Sequence, residues 1–197
     1  MILVPIILII AYLPIDSQVC WGLLEASEGI PLTMVLMDLV FIIASITDKL
    51  DGYIARSRNM ITTFGKFLDP LADKILVLTA LIILVQENKL PAWIPAIILA
   101  REFLVSGYRL VAAQKGGQVI AASFWGKLKT VTQMVAIILA FVDIHGFGEF
   151  AKFGFQFTRF GFIINIINTL FMSTAVIATI FSGYDYLKNG KELLKND

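Results

Sequence analysis

Apolar runs of helical length recur along the chain, separated by short polar stretches. The first, Met1 to Leu13, is followed by a mixed loop from Pro14 to Pro31 that carries Asp16, Glu25 and Glu28. Further runs predict helices from Leu32 to about Arg56, Phe67 to Gln86, Pro91 to Ala113, Phe124 to Val142 and Phe160 to Tyr186, ahead of a polar tail. A membrane span needs about 20 residues, which the last five runs supply and the first does not. No Lys or Arg precedes that first run, and Lys49 is the earliest basic residue, so a secretory signal is not expected. The first helix is expected to be truncated. No internal repeat is visible.

Composition agrees with this pattern. Of 197 residues, 58% are hydrophobic and only 16% charged, whereas soluble domains carry roughly 45–50% apolar residues. The fold class is therefore an all-α integral membrane protein, a single domain over residues 1–197 built as a bundle of six transmembrane helices. Sixteen basic and 15 acidic side chains leave a net charge of +1, which speaks against an acidic tail or an electrostatic binder of nucleic acid. Cys20 stands alone, excluding an intrachain disulfide and any multi-Cys metal site.

The placement of the charges is more informative than their number. Arg56, Arg58, Lys66, Lys115, Lys127, Lys129, Lys188, Lys191 and Lys195 fall on one side of the predicted bundle, against Lys89, Lys152 and Arg159 on the other. The positive-inside rule makes the richer side cytoplasmic, with both termini there. A polar cavity is expected to open toward it, because the unusual charged helix ends lie on that side.

Asp48 and Asp51 stand three apart near the end of the second helix, and Asp69 and Asp73 four apart at the start of the third. Each spacing puts both carboxylates on one helical face, and a hairpin would bring the pairs together. An unpaired acid within a membrane costs about 2.5–3.5 kcal/mol even on the milder scale, so four require a cationic partner. Lys49, Lys66 and Lys74 are too few and scattered. Hard divalent cations prefer carboxylate oxygen, and two Mg²⁺ or Mn²⁺ ions held by four Asp suit phosphoryl transfer. Gly52, Ala55 and Gly65 leave room for a flat ligand such as a nucleotide to approach the backbone. The bland alternative is that these acids cap helix ends, as the lone Asp38 is expected to do. A cation pathway is a further alternative, since intramembrane acids mark those too, although transporters tend to show repeats; a non-catalytic membrane scaffold is a third.

The run Asp48-x2-Asp51-Gly52-x2-Ala55-Arg56-x8-Gly65-x3-Asp69-x3-Asp73 resembles the signature of the CDP-alcohol phosphotransferase family at all eight fixed positions. The stretches Lys66 to Lys74, Ala100 to Phe103, Ser106 to Arg109 and Gly126 to Thr130 are similar to the bacterial branch that uses glycerol 3-phosphate as acceptor. The resemblance implies six spans in the cell membrane around a cytoplasm-facing cavity, a homodimer, and transfer of a phosphatidyl group from CDP-diacylglycerol to glycerol 3-phosphate with release of CMP. It implies that Asp48, Asp51, Asp69 and Asp73 hold the metals. Asp48, Asp51, Gly52, Ala55, Arg56 and Gly65 would contact the CDP moiety. Asp69 and Asp73 would be catalytic, Asp73 as general base. Other acceptors, namely inositol phosphate, serine or phosphatidylglycerol, remain open within the family.

An acceptor phosphate needs fixed cations. Arg101 and Arg109, eight apart and about two turns along one helix face, are candidates because Arg grips phosphate bidentately. Lys127, Lys129 and Lys66 join them. Arg101 paired with Glu102, and lysines that merely obey the topology rule, are the competing reading. The Phe-rich stretch around Phe147 to Phe160 reads as an interfacial aromatic segment. His145 is expected to be exposed or capping, and Asn165 and Asn168 to form interhelical hydrogen bonds. For Thr130 and Gln133, contact with the acceptor and helix packing stay open.

Overall fold

The computed structural model describes the backbone of residues 3–13, 18–19, 29–57, 63–114, 124–153 and 159–194. Within these ranges, the side chains of 18–19, 48–49, 51–57, 63–73, 110–114, 152–153, 159–160 and 189–194 are not described. The elements are α1 (Leu3–Ala11), β1 (Gln18–Val19), β2 (Ile30–Pro31), α2 (Leu32–Ser57), α3 (Thr63–Gln86), α4 (Trp93–Gln114), α5 (Phe124–Val142), the single turn α6 (Phe150–Phe153) and α7 (Arg159–Leu194). The two short strands form one antiparallel pair, Gln18 opposite Pro31 and Val19 opposite Ile30. Most of the other described residues are helical.

Helix α5 occupies the middle, packing on α2, α3 and α7, while α4 lies against α7 and α1 against α2 and α3. Phe41, Leu84, Ile94, Ile137, Phe141 and Met172 are fully or almost fully enclosed between these helices, with the rings of Phe41 and Phe141 6.3 Å apart. The outward faces are apolar as well. Leu39, Ile43, Phe103, Val131, Leu170 and Ile177 are exposed, the distribution of helices solvated by lipid instead of water. Helix α5 and residues Gly161–Lys188 of α7 are long and apolar enough to cross a membrane, and Leu32–Thr47 and Lys74–Gln86 form shorter apolar stretches.

Several boundaries differ from the sequence expectation for physical reasons. Helix α7 runs to Leu194, beyond the polarity change at Tyr186, because Leu187, Lys188, Lys191, Glu192 and Leu193 are good helix formers. Polarity ends an apolar stretch there without ending the helix. Helix α3 begins four residues before Phe67. It stops where Asn88 takes φ 57°, and the Lys89 amide returns to the Leu84 carbonyl at 2.9 Å; Asn tolerates this left-handed position better than most residues. Asp38 does not cap a helix end. It lies inside α2, buried, and its Oδ1 has no hydrogen-bond partner among the described residues.

At the Val142 end of α5, a polar clasp ties the helices together. The Asp143 carboxylate accepts the His145 backbone N–H at 3.0 Å through Oδ1, and the amides of Asn165 (2.8 Å) and Asn168 (3.0 Å) through Oδ2. These are the hydrogen bonds expected of the two asparagines. Lys89 donates to the carbonyls of Ala140, Phe141 and Asp143, closing the C-terminus of α5 where backbone acceptors have no helical partner. Lys89 is therefore a buried cap in place of a surface charge. His145 is partly buried, with Nδ1 3.9 Å from Asp143 Oδ1.

Candidate active site

The side chains of Asp48, Asp51, Arg56, Lys66, Asp69 and Asp73, together with the surroundings of Gly52, Ala55 and Gly65, lie outside the described residues. Their helices are described. Asp48 to Arg56 sit toward the end of α2 and Gly65 to Asp73 in the first part of α3, and these two helices pack on each other. The i,i+3 and i,i+4 spacings therefore fall on uninterrupted helix, which keeps each pair on one face. Four oxygen donors without thiolate or imidazole suit Mg²⁺ or Mn²⁺ in preference to a soft metal.

From Lys74 onward the side chains are described, and Lys74 opens a charged cluster. Its ammonium bonds Ser106 Oγ and lies 3.8 Å from Glu102 Oε2. Glu102, on α4, also receives Lys129 from α5 and the neighbouring Arg101 at 3.1 Å. Ser106 turns back one helical turn to donate to the Glu102 carbonyl at 2.7 Å. Arg101 reaches across to α7, donating to Ser182 Oγ at 2.5 Å. Arg109 donates to the Tyr186 hydroxyl at 2.9 Å. The two guanidinium carbons stand 5.7 and 5.8 Å from the centre of the Tyr186 ring.

Among the described residues, three cations thus gather around the Glu102 carboxylate, and a fourth, Arg109, shares the Tyr186 ring with Arg101. Lys129 and Arg101 are the more enclosed, with side chains 7% and 12% exposed, and Arg101 Nε is buried without a hydrogen-bond partner among the described residues. An excess of positive charge plus an unused guanidinium donor makes a cluster with the chemistry to receive a multiply charged anion.

The structure brings Arg101, Arg109 and Lys129 into this one cluster. Lys127 is exposed, and among the described contacts none ties it to Glu102; residues two apart on a helix are separated by about 200°, so Lys127 and Lys129 leave α5 on different faces. Thr130 is exposed and bonds the Gly126 carbonyl, while Gln133 is buried in packing. The Arg101–Glu102 pair of the competing reading is present, while Ser106, Ser182 and Tyr186 are the partners that sequence reasoning left out. The available signal was polar residues in apolar helices, with Ser182 and Tyr186 one turn apart on α7.

The sequence profile of the CDP-alcohol phosphatidyltransferase family matches residues 1–181. The chain belongs to this family. It is 43% identical over 194 residues to the CDP-diacylglycerol–glycerol-3-phosphate 3-phosphatidyltransferase of Bacillus subtilis (strain 168), covering 98% of this chain and 91% of that protein. The protein of the same name from Haemophilus influenzae is 36% identical over 200 residues, covering 99% and 91%. That from Rickettsia bellii is 36% identical over 162 residues, covering 82% of each chain. Similarity of this extent spans both the acidic signature on α2 and α3 and the cationic cluster on α4, α5 and α7.

Proposed function

We propose that the protein transfers the phosphatidyl group of CDP-diacylglycerol to a hydroxyl of glycerol 3-phosphate, releasing CMP and forming phosphatidylglycerophosphate. Family membership and the reaction named for the relatives support the donor and the chemistry. The observation that carries the choice of acceptor is the gathering of Lys74, Arg101 and Lys129 around the Glu102 carboxylate, with Arg109 beside Arg101 on the Tyr186 ring, an arrangement an uncharged alcohol would not require.

Asp48, Asp51, Asp69 and Asp73 would hold two divalent ions, Mg²⁺ or Mn²⁺. When bound, these ions neutralise the pyrophosphate oxygens and stabilise the departing CMP. Gly52, Ala55 and Gly65 leave space for the cytidine, with Arg56 beside it. Asp73 takes the proton from the acceptor hydroxyl as its oxygen attacks the phosphorus that carries the diacylglycerol; the bond from that phosphorus to the CMP oxygen breaks. Arg101 and Arg109 hold the acceptor phosphate through charge-assisted hydrogen bonds. Lys129 is committed to Glu102 and sets the pocket's wall, while the exposed Lys127, together with Lys66, supplies ammonium groups to the entering anion. In the same reading six helices span a bacterial cell membrane as a homodimer, with the cavity and both termini on the cytoplasmic side, as the bias of basic residues supports.

An acceptor panel tests this. Purified protein with CDP-diacylglycerol and Mg²⁺ should release CMP with glycerol 3-phosphate, and neither glycerol, serine nor inositol phosphate should replace it. Equal turnover with glycerol would overturn the phosphate-pocket reading. Release with serine or inositol phosphate alone would keep the chemistry and change the acceptor.

A further inference from the structure

Arg101 and Arg109 leave α4 about 12 Å apart along its axis, yet both guanidinium groups close on one aromatic ring of another helix. Tyr186 is 2% exposed, among the largest fully enclosed side chains of the molecule. Its hydroxyl accepts from Arg109 at 2.9 Å. One turn earlier Ser182, itself fully buried, accepts from Arg101 at 2.5 Å. Between them, a Cβ added at Gly183 would meet Arg101 Cγ at 3.6 Å, so the arginine's stem runs directly over the bare backbone of α7. One face of α7, Ser182, Gly183 and Tyr186, is therefore the seat of both arginines.

The physical need is plain. Two guanidinium groups drawn to one ring repel each other, and Arg109 is an exposed residue whose side chain forfeits about 2 kcal/mol of rotamer entropy when held still. The electron-rich face of a buried aromatic ring offsets part of the repulsion, and the phenol oxygen fixes one end of the Arg109 fork.

We infer that Tyr186 is a positioning residue for the acceptor: it acts through Arg109, and secondarily Arg101, to hold the two guanidinium groups at the spacing a single phosphate requires. This rests on the proposed acceptor site and extends it to α7. Tyr186 performs no chemistry, so its contribution belongs to acceptor affinity and leaves the donor untouched.

Tyr186→Phe removes one oxygen and keeps the ring. It should raise KM for glycerol 3-phosphate about 3–10-fold, the range for losing one typical intramolecular hydrogen bond that acts through a second residue, with kcat and KM for CDP-diacylglycerol within about 2-fold. Tyr186→Leu, which loses the ring too, should do more; if it fails to fold, Tyr186→Phe carries the test. The decisive measurement is the double mutant. Against Arg109→Ala, Tyr186→Phe should have no further effect on acceptor affinity, read by calorimetric binding of glycerol 3-phosphate where turnover is lost. An unchanged acceptor KM in Tyr186→Phe, or an equal effect with and without Arg109, would overturn the inference while leaving the acceptor site in place. An Arg109→Ala protein with normal acceptor affinity would instead overturn the acceptor reading itself.

Discussion

Helix α7 carries two polar clusters separated by about 21 Å, fourteen residues at 1.5 Å each from Asn168 to Ser182, and the two are built differently. At the Asp143 end the charges are enclosed and answered, one carboxylate accepting three N–H groups and one ammonium capping three carbonyls, although the neutral Asn168 Oδ1 has no hydrogen-bond partner among the described residues. At the Tyr186 end three cations share the Glu102 carboxylate while Arg109 rests on the Tyr186 ring, and the Arg101 Nε has no hydrogen-bond partner among the described residues. Buried polar groups stabilise a fold only when satisfied, and unsatisfied ones cost free energy. The contrast separates a cluster whose charges the protein itself answers from one that keeps cationic donors free for the anion proposed above.

The largest expected effect falls on the closed cluster. Asp143→Ala would deprive the His145 amide, Asn165 and Asn168 of their shared acceptor. At about 1–3 kcal/mol for each buried group left unpaired, the loss should be on the order of 3 kcal/mol. Thermal unfolding in detergent should shift down clearly, while KM for glycerol 3-phosphate stays at the wild-type value. A variant of normal stability with altered acceptor kinetics would erase the contrast.

The open cluster should respond the other way. Arg101→Ala removes charge-assisted hydrogen bonds to the bound phosphate, worth about 1.5–3 kcal/mol, so kcat/KM for the acceptor should fall about 10- to 100-fold. Its unfolding temperature should fall less than that of Asp143→Ala. Steady-state kinetics and a melting curve on the same preparation decide it: a stability loss matching Asp143→Ala with intact acceptor kinetics would make this cluster structural too.

How far the sequence could anticipate these clusters follows from where their partners sit. The helices were legible because apolar runs of about 20 residues have few alternatives, and α5 matches its expected bounds at both ends. The acidic signature was legible because its pairs are three and four residues apart within single helices. Arg101 and Arg109 were legible as a pair for the same reason. Their partners were not: Lys129, Ser182 and Tyr186 lie 27, 81 and 77 residues from the groups they bind, on helices whose relative rotation no local pattern records. Asn165 and Asn168 announced themselves as polar residues in an apolar helix, but nothing local pointed to Asp143. Lys89 entered the sequence reading only as a basic residue on one side of the bundle, because its burial depends on the end of α5, some 50 residues on.

The smallest effect, and the one that tests how closed the Asp143 end is, concerns Lys89. Burial pulls its ammonium down from 10.5 to about 8, and the carboxylates of Asp143 and Glu87 restore only part of the difference. Burial also raises the Asp143 carboxyl, against the lowering effect of its hydrogen bonds and of Lys89. For a lysine lowered in the folded state, the unfolded chain binds more protons between about pH 8 and 10.5, so stability rises with pH across that window. The contribution is present above 10.5 and lost as pH falls through about 8. Its size should be on the order of 1–2 kcal/mol, given 1.36 kcal/mol per unit and partial access of water. Because other lysines and tyrosines titrate nearby, the quantity to measure is the stability difference between wild type and Lys89→Met. That difference should shift in favour of wild type as pH rises from 8 to 10, as the buried charge is discharged. A difference flat with pH would mean that Lys89 keeps its ordinary proton affinity, and with it that water reaches the clasp much as it reaches the open cluster at the far end of α7.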